Sequence, residues 1–133
     1  MSASEALILS KEERICSKKL IDRLFGGGLS HSMAAFPLRV VYLEMEQNEK
    51  EPLVQILVSV PKRCFKRAVK RNRVKRQVRE AYRYHKKILT DVLLEGDNRR
   101  IALAFVWLDD KLYASSDVEQ RVVNLLERVS ERL

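Results

Sequence analysis

The sequence predicts an α/β sandwich, a small mainly antiparallel sheet packed with helices, in a single domain spanning all 133 residues. Three observations lead to this class. Three apolar runs have strand length and alternating side chains, three other segments carry apolar residues at helical spacing, and the two kinds interleave as helix, strand, strand, helix, strand, helix. With 46% hydrophobic residues, the chain is long enough to bury a core, which argues against disorder.

Residues 1–13 read as a flexible N-terminal extension, and they show no signal-peptide pattern, because their apolar stretch is four residues long and charge follows at once. Residues 17–25, SKKLIDRLF, place Leu20, Ile21, Leu24 and Phe25 on one helical face, with Ser17 positioned as the N-cap. Gly26, Gly27 and Gly28 then stop the helix. A phosphate-cradling loop would need a strand before those glycines and a Lys-Ser/Thr pair behind them, and neither is present.

Residues 36–45, FPLRVVYLEM, and 53–60, LVQILVSV, read as two strands joined by the polar stretch EQNEKEP. In the first, Phe36, Leu38, Val40 and Tyr42 share one face while Arg39, Val41 and Leu43 share the other, so both faces are partly apolar. Residues 101–108, IALAFVWL, form the third strand. By pattern alone Phe25, Phe36 and Trp107 read as core, Tyr42 as either core or a surface ring, and Phe65 as an anchor for the loop before the next helix. The last segment sets Ser116 and Glu119 at capping-box spacing and then Val118, Val122, Leu125 and Val129 on one stripe.

The remaining helical segment is the unusual one. Over residues 68–89 the apolar period is close to 3.6, with Val74, Val78, Ala81, His85 and Ile88 in a narrow arc flanked by Tyr82 and Leu89, for a single helix about 33 Å long. Lys75, Arg76, Arg79, Arg83, Lys86 and Lys87 fall on the opposite side. From Lys62 to Lys87 there are thirteen basic residues and one acidic one, Glu80, for +12; the formal net charge of +8 therefore leaves −4 for the rest of the chain. Ordinary solvated surfaces intersperse the two signs. Like charges one turn apart, such as Arg71 with Lys75 and Lys75 with Arg79, each destabilise a helix by about 0.2–0.5 kcal/mol. A polyanion offsets that repulsion, because clustered cations release its condensed counterions. Arg71 and Arg73 have the forked donors that suit phosphate oxygens, while Asn72 suits a base edge, a sugar hydroxyl or a cap. Charge does not choose between DNA and RNA; the strands flanking this helix argue against a helix-turn-helix reader.

Other chemistries find little support. Asp109 with Asp110 and Glu12 with Glu13 are adjacent pairs whose side chains diverge, so neither forms the carboxylate grouping of a metal nuclease. His31 and His85 have no nucleophile or orienting partner evident in the sequence. Cys16 and Cys64 read as free thiols of an intracellular protein, and no close Cys/His/Asp/Glu grouping predicts a zinc site. No run of about 18 apolar residues predicts a membrane span.

The segment KRAVKRNRVKRQVREAYR resembles the signature of the bacterial ribonuclease P protein family: Ala-Val, a short step, Arg-Asn-Arg, an aliphatic residue, Lys-Arg and then Arg-Glu. The Val-Ser-Val strand end followed by Lys62 and Arg63, the Leu-Phe before the glycines and the strand Arg39-Val-Val-Tyr42 extend the resemblance from about Arg14 to Leu126. It implies a left-handed crossover into the basic helix and a cytoplasmic protein subunit of an RNA enzyme that removes the 5′ leader from precursor tRNA. The catalytic RNA would perform the chemistry with Mg2+. Lys70, Arg71, Asn72, Arg73, Lys75, Arg76 and Arg79 would contact that RNA. Phe25, Tyr42, Lys62 and Arg63 would line a cleft for the single-stranded leader. No catalytic residue, protein metal site or obligate protein partner is implied. This sequence departs from the family in three places: Ile21 stands where a second aromatic is frequent, Lys66 replaces a usual glycine in a loop one residue longer, and Trp107-Leu108-Asp109-Asp110 occupies a stretch often basic. The alternative is a general structured-RNA-binding or ribosome-associated protein, which needs the basic helix but no second site for a mobile strand.

Overall fold

The computed structural model describes residues 9–96 and 99–133. After a 3-10 turn at Lys11–Glu13 the chain forms α1 (Lys18–Gly26), β1 (His31–Ala35), β2 (Leu38–Glu46), β3 (Val54–Ser59), α2 (Ala68–His85), α3 (Lys87–Glu95), β4 (Arg99–Trp107) and α4 (Ser115–Arg132). The strands lie in the order β1-β2-β4-β3, with β1–β2 and β2–β4 antiparallel and β3–β4 parallel. This is the predicted class, a small mixed sheet covered by helices.

Strand β4 takes a central place because residues 101–107 are all buried, and such a strand needs a neighbour on both edges and cover on both faces. It separates β2 from β3, which are therefore consecutive in sequence but not paired. The parallel β3–β4 pair is joined by a crossover through α2 and α3. The outer edge of β3 is covered by residues 14 and 15: Arg14 bridges to Ile56, and the Ile15 amide donates to the Ile56 carbonyl at 2.8 Å. Of the expected flexible extension, residues 1–8 lie outside the described residues.

The two sheet faces bury separate cores. Leu38, Val40 and Tyr42 join Val54, Ile56 and Val58, the β4 residues Ile101, Leu103, Phe105 and Trp107, and the apolar stripes of α2, α3 and α4. On the other face, Val41, Leu43, Met45, Ala102 and Ala104 pack with Ile15, Leu20 and Leu24, and the partly buried Ile21 and Leu57 pack against them. Among the described residues, one face thus carries three α-helices and the other only α1.

Four local expectations are corrected. The first predicted strand begins at Leu38 rather than residue 36, and residues 36–37 connect it to β1, a short strand that the sequence pattern does not reveal. Phe36 on that connection is exposed rather than core. The single basic helix is two helices, with Lys86 at the junction. Lys86 turns inward, its Nζ 3.2 Å from both carboxylate oxygens of Glu13, while His85 and Ile88 are only half-buried. Finally, α4 starts after Ala114 with no side-chain cap, so Ser116 and Glu119 do not form the expected box, although the predicted stripe is buried.

Candidate nucleic-acid interface

The backbone enters α2 through a bracketed loop. The Cys64 amide donates to the Pro61 carbonyl at 3.0 Å, closing a tight turn with Lys62 and Arg63 exposed at its centre. Cys64 and Phe65 are buried behind the turn, as expected of Phe65, and the Cys64 thiol lies 3.7 Å from the Trp107 carbonyl oxygen. Helix α2 then begins after Arg67 without a side-chain cap.

Helical phase sorts the basic motif. At 3.6 residues per turn, Val74 and Val78 define the buried direction, and Asn72, Arg76 and Arg79 lie about 140–160° from Val74 on the outward side. Asn72, Arg73, Arg76 and Lys70 are exposed, while Lys75 on the flank and Arg79 are half-buried. Arg71 lies only about 60° from Val74, and its Nη1 donates to the carbonyls of Phe65 at 2.8 Å and Lys66 at 2.7 Å. The expected outward phosphate ligand is therefore engaged with its own backbone. Arg14, Asn72, Arg76, Arg79, Glu80 and Arg83 surround an open hollow of about 560 Å³. Partial burial, aided by the nearby Arg14 charge, holds Arg79 below the usual guanidinium range. Arg83 bonds Glu80 at 2.7 Å and stacks over the Tyr84 ring at 4.4 Å, which moderates the repulsion expected along the helix.

The second site lies on the sheet face that α1 covers. Ser17 caps α1 as predicted, accepting from the Leu20 amide at 3.3 Å, and Leu20 and Leu24 are buried. Lys19 and Arg23 project from one flank toward Met45, Gln55 and Arg100 at one end of the sheet. Ile21 and Phe25 project from the opposite flank. The same sheet face carries exposed Arg39 and half-buried Leu57 and Ser59 toward the end from which the Lys62–Arg63 turn leaves. Phe25 is 50% exposed, so the core reading of its position is wrong. This uncovered corner is the candidate cleft.

Tyr42 does not line it. The residue is 2% exposed, faces the three-helix side of the sheet and packs against His31 with ring centroids 5.2 Å apart. Desolvation raises its phenol pKa above the usual value. Arg39, Leu57 and Ser59 are not singled out for this corner by the sequence; strand alternation groups Arg39 with Val41 and Leu43, and only the pairing of β2, β4 and β3 puts Leu57 and Ser59 on the same face. Among the described residues, no group of three or more His, Cys, Asp or Glu side chains could hold a metal, and no helix is long and apolar enough to cross a membrane.

The Ribonuclease P family model matches residues 9–129. The chain is 41% identical over 132 residues to the ribonuclease P protein component of Porphyromonas gingivalis, covering 98% of this chain and 92% of that protein. The corresponding component of Chlorobaculum tepidum is 36% identical over 115 residues, covering 80% and 71%. Among solved structures, the Staphylococcus aureus RNase P protein superposes with a TM-score of 0.67 at 19% identity, covering 88% of this chain and 94% of that one. The Thermotoga maritima RNase P protein gives 0.65 at 18%, covering 87% and 96%. The structural likeness shows the shared fold, and the sequence matches carry the assignment: this chain belongs to the bacterial ribonuclease P protein family.

Proposed function

We propose that this chain is the protein subunit of ribonuclease P, acting in the cytoplasm with a catalytic RNA to remove the 5′ leader of precursor tRNA. The RNA subunit hydrolyses the phosphodiester bond and Mg2+ enters with it. The protein contributes binding and orientation. The outward side and flanks of α2, with Asn72, Arg73, Lys75, Arg76 and Arg79, together with Lys70 exposed in its first turn, meet the catalytic RNA, where released counterions give affinity and Asn72 meets a sugar or base edge. The corner between Phe25, Leu57 and Ser59 receives the single-stranded leader. Phe25 offers a half-exposed ring for base stacking, and Lys62 and Arg63 offer phosphate contacts at the rim. Such contacts favour the precursor because mature tRNA has no leader to fill the corner.

The observation supporting this reading most directly is the presence of two surfaces on opposite sides of one sheet, a basic helix face and an open corner under α1, joined by the loop at residues 61–67. A general RNA-binding protein requires only the first. The test mixes the purified protein with its cognate catalytic RNA and measures leader cleavage at low magnesium, beside protein-alone and RNA-alone controls. Efficient cleavage only in the mixture is expected. Tight binding of structured RNA without any gain in cleavage would replace this reading with the general RNA-binding one.

A further inference from the structure

Arg71 stands inside the most basic stretch of the chain, yet its guanidinium does not point out with its neighbours. Its Nη1 carries two hydrogens and donates one to the Phe65 carbonyl and one to the Lys66 carbonyl. Both acceptors sit in the loop that opens with the Pro61–Cys64 turn and ends at the N-cap Arg67. That loop has little else to hold it. It has no helical or strand ladder, its Lys66 and Arg67 side chains are exposed, and the α2 N-terminus has no side-chain cap. Its other anchors are the buried Cys64 and Phe65 side chains, the Cys64 turn bond and the weak thiol contact to Trp107. A charge-assisted bond to each of two successive carbonyls is the strongest polar restraint available there.

We propose that Arg71 is a positioning residue rather than a ligand of the catalytic RNA: it fixes the 61–67 loop to the first turn of α2 and so sets the placement of Lys62 and Arg63 at the leader cleft. The inference rests on the proposed leader cleft. It assigns to one arginine of the basic motif a role at the second substrate surface, linking the RNA-facing helix to the cleft rim through a single side chain. The guanidinium fits this task because it is a rigid planar donor group. Alanine removes both bonds, and lysine keeps the charge without the fork.

Three readouts separate positioning from phosphate binding. The first uses the free protein in a Cys16→Ser background, where Cys64 is the remaining thiol and is buried behind the turn. Arg71→Ala is expected to raise the reaction rate of Cys64 with Ellman's reagent about tenfold, because the loop opens more often when two charge-assisted bonds are lost. Arg71→Lys gives an intermediate rise, and circular dichroism checks that each variant is folded. The second is the salt dependence of assembly with the catalytic RNA. Arg71→Ala leaves the slope of log K against log salt unchanged, whereas Arg73→Ala flattens it by up to about 0.9. The third is the affinity ratio of the holoenzyme for precursor over mature tRNA. It falls in Arg71→Ala and in Lys62→Ala/Arg63→Ala, and the combined variant falls less than the product of the two.

Unchanged thiol reactivity in the folded Arg71→Ala protein would overturn the loop restraint. A flattened salt slope would return Arg71 to the phosphate interface. A lowered ratio in Lys62→Ala/Arg63→Ala but not in Arg71→Ala would sink the positioning role alone. An unchanged ratio in Lys62→Ala/Arg63→Ala would remove the leader role of the turn, and the positioning role with it.

Discussion

Phe25 and Tyr42, both assigned to the cleft by resemblance, part ways in the structure: Phe25 is half-exposed and Tyr42 is buried. Phe25 follows Leu24 on the apolar side of α1 and reads as core, but the helix phase carries it past the contact line with the sheet. Tyr42 is assigned to the cleft by resemblance, yet strand alternation puts it with Leu38 and Val40 on the three-helix face. Opposite mutational phenotypes follow. Phe25→Ala is expected to change stability by less than about 1 kcal/mol, since a half-exposed ring loses little burial, and to weaken precursor binding relative to mature tRNA by about 1–3 kcal/mol. Tyr42→Ala is expected to destabilise the fold by about 3–5 kcal/mol and leave that ratio unchanged in the folded holoenzyme. Urea unfolding and paired binding titrations measure both quantities; a stable Tyr42→Ala protein with a reduced ratio would restore Tyr42 to the leader contact.

At the level of elements, the division of the basic segment at Lys86 shows where local pattern yields to packing. The apolar period continues from Val74 to Leu89 with little interruption, so nothing local ends the helix. The contact that accompanies the junction is distant in sequence: Lys86 meets Glu13, both side chains mostly buried at 12% and 16% exposure, and Glu13 also accepts from the Ser10 amide. One ion pair thereby joins the N-terminal turn to the α2–α3 corner. Glu13→Gln is expected to lower stability by about 1–3 kcal/mol, because a largely desolvated ammonium loses its charged partner. The fall appears as a lower urea midpoint with an unchanged m-value. An unaltered midpoint would mean that the pair contributes nothing net. The loop at residues 61–67 shows the same principle, since its geometry depends on Arg71 from the following helix.

For the whole molecule, a scaffold with net negative charge outside residues 62–87 carries a basic face whose charges converge, with Arg14, Arg76, Arg79 and Arg83 around one hollow. An anion bound there stabilises only the folded state. Sulfate at tenfold its dissociation constant is expected to add about 1.4 kcal/mol and raise Tm by roughly 3–7 °C, more than sodium chloride at equal ionic strength. Equal shifts from both salts would indicate general screening instead. Much of this molecule was legible from its sequence: the Ser17 cap, Leu20 and Leu24 of α1, the buried stripes of α2 and α4, a third strand through residues 101–107, and the concentration of charge that selects a polyanion. Each is a property of one contiguous segment, set by side-chain periodicity or local charge density. The sequence could not decide that β4 separates β2 from β3, that Lys86 faces Glu13, that Arg71 turns back onto its own loop, or that α1 leaves one corner of the sheet open. Those outcomes depend on which segments become neighbours after folding, because burial and hydrogen bonding are shared between residues far apart in the chain.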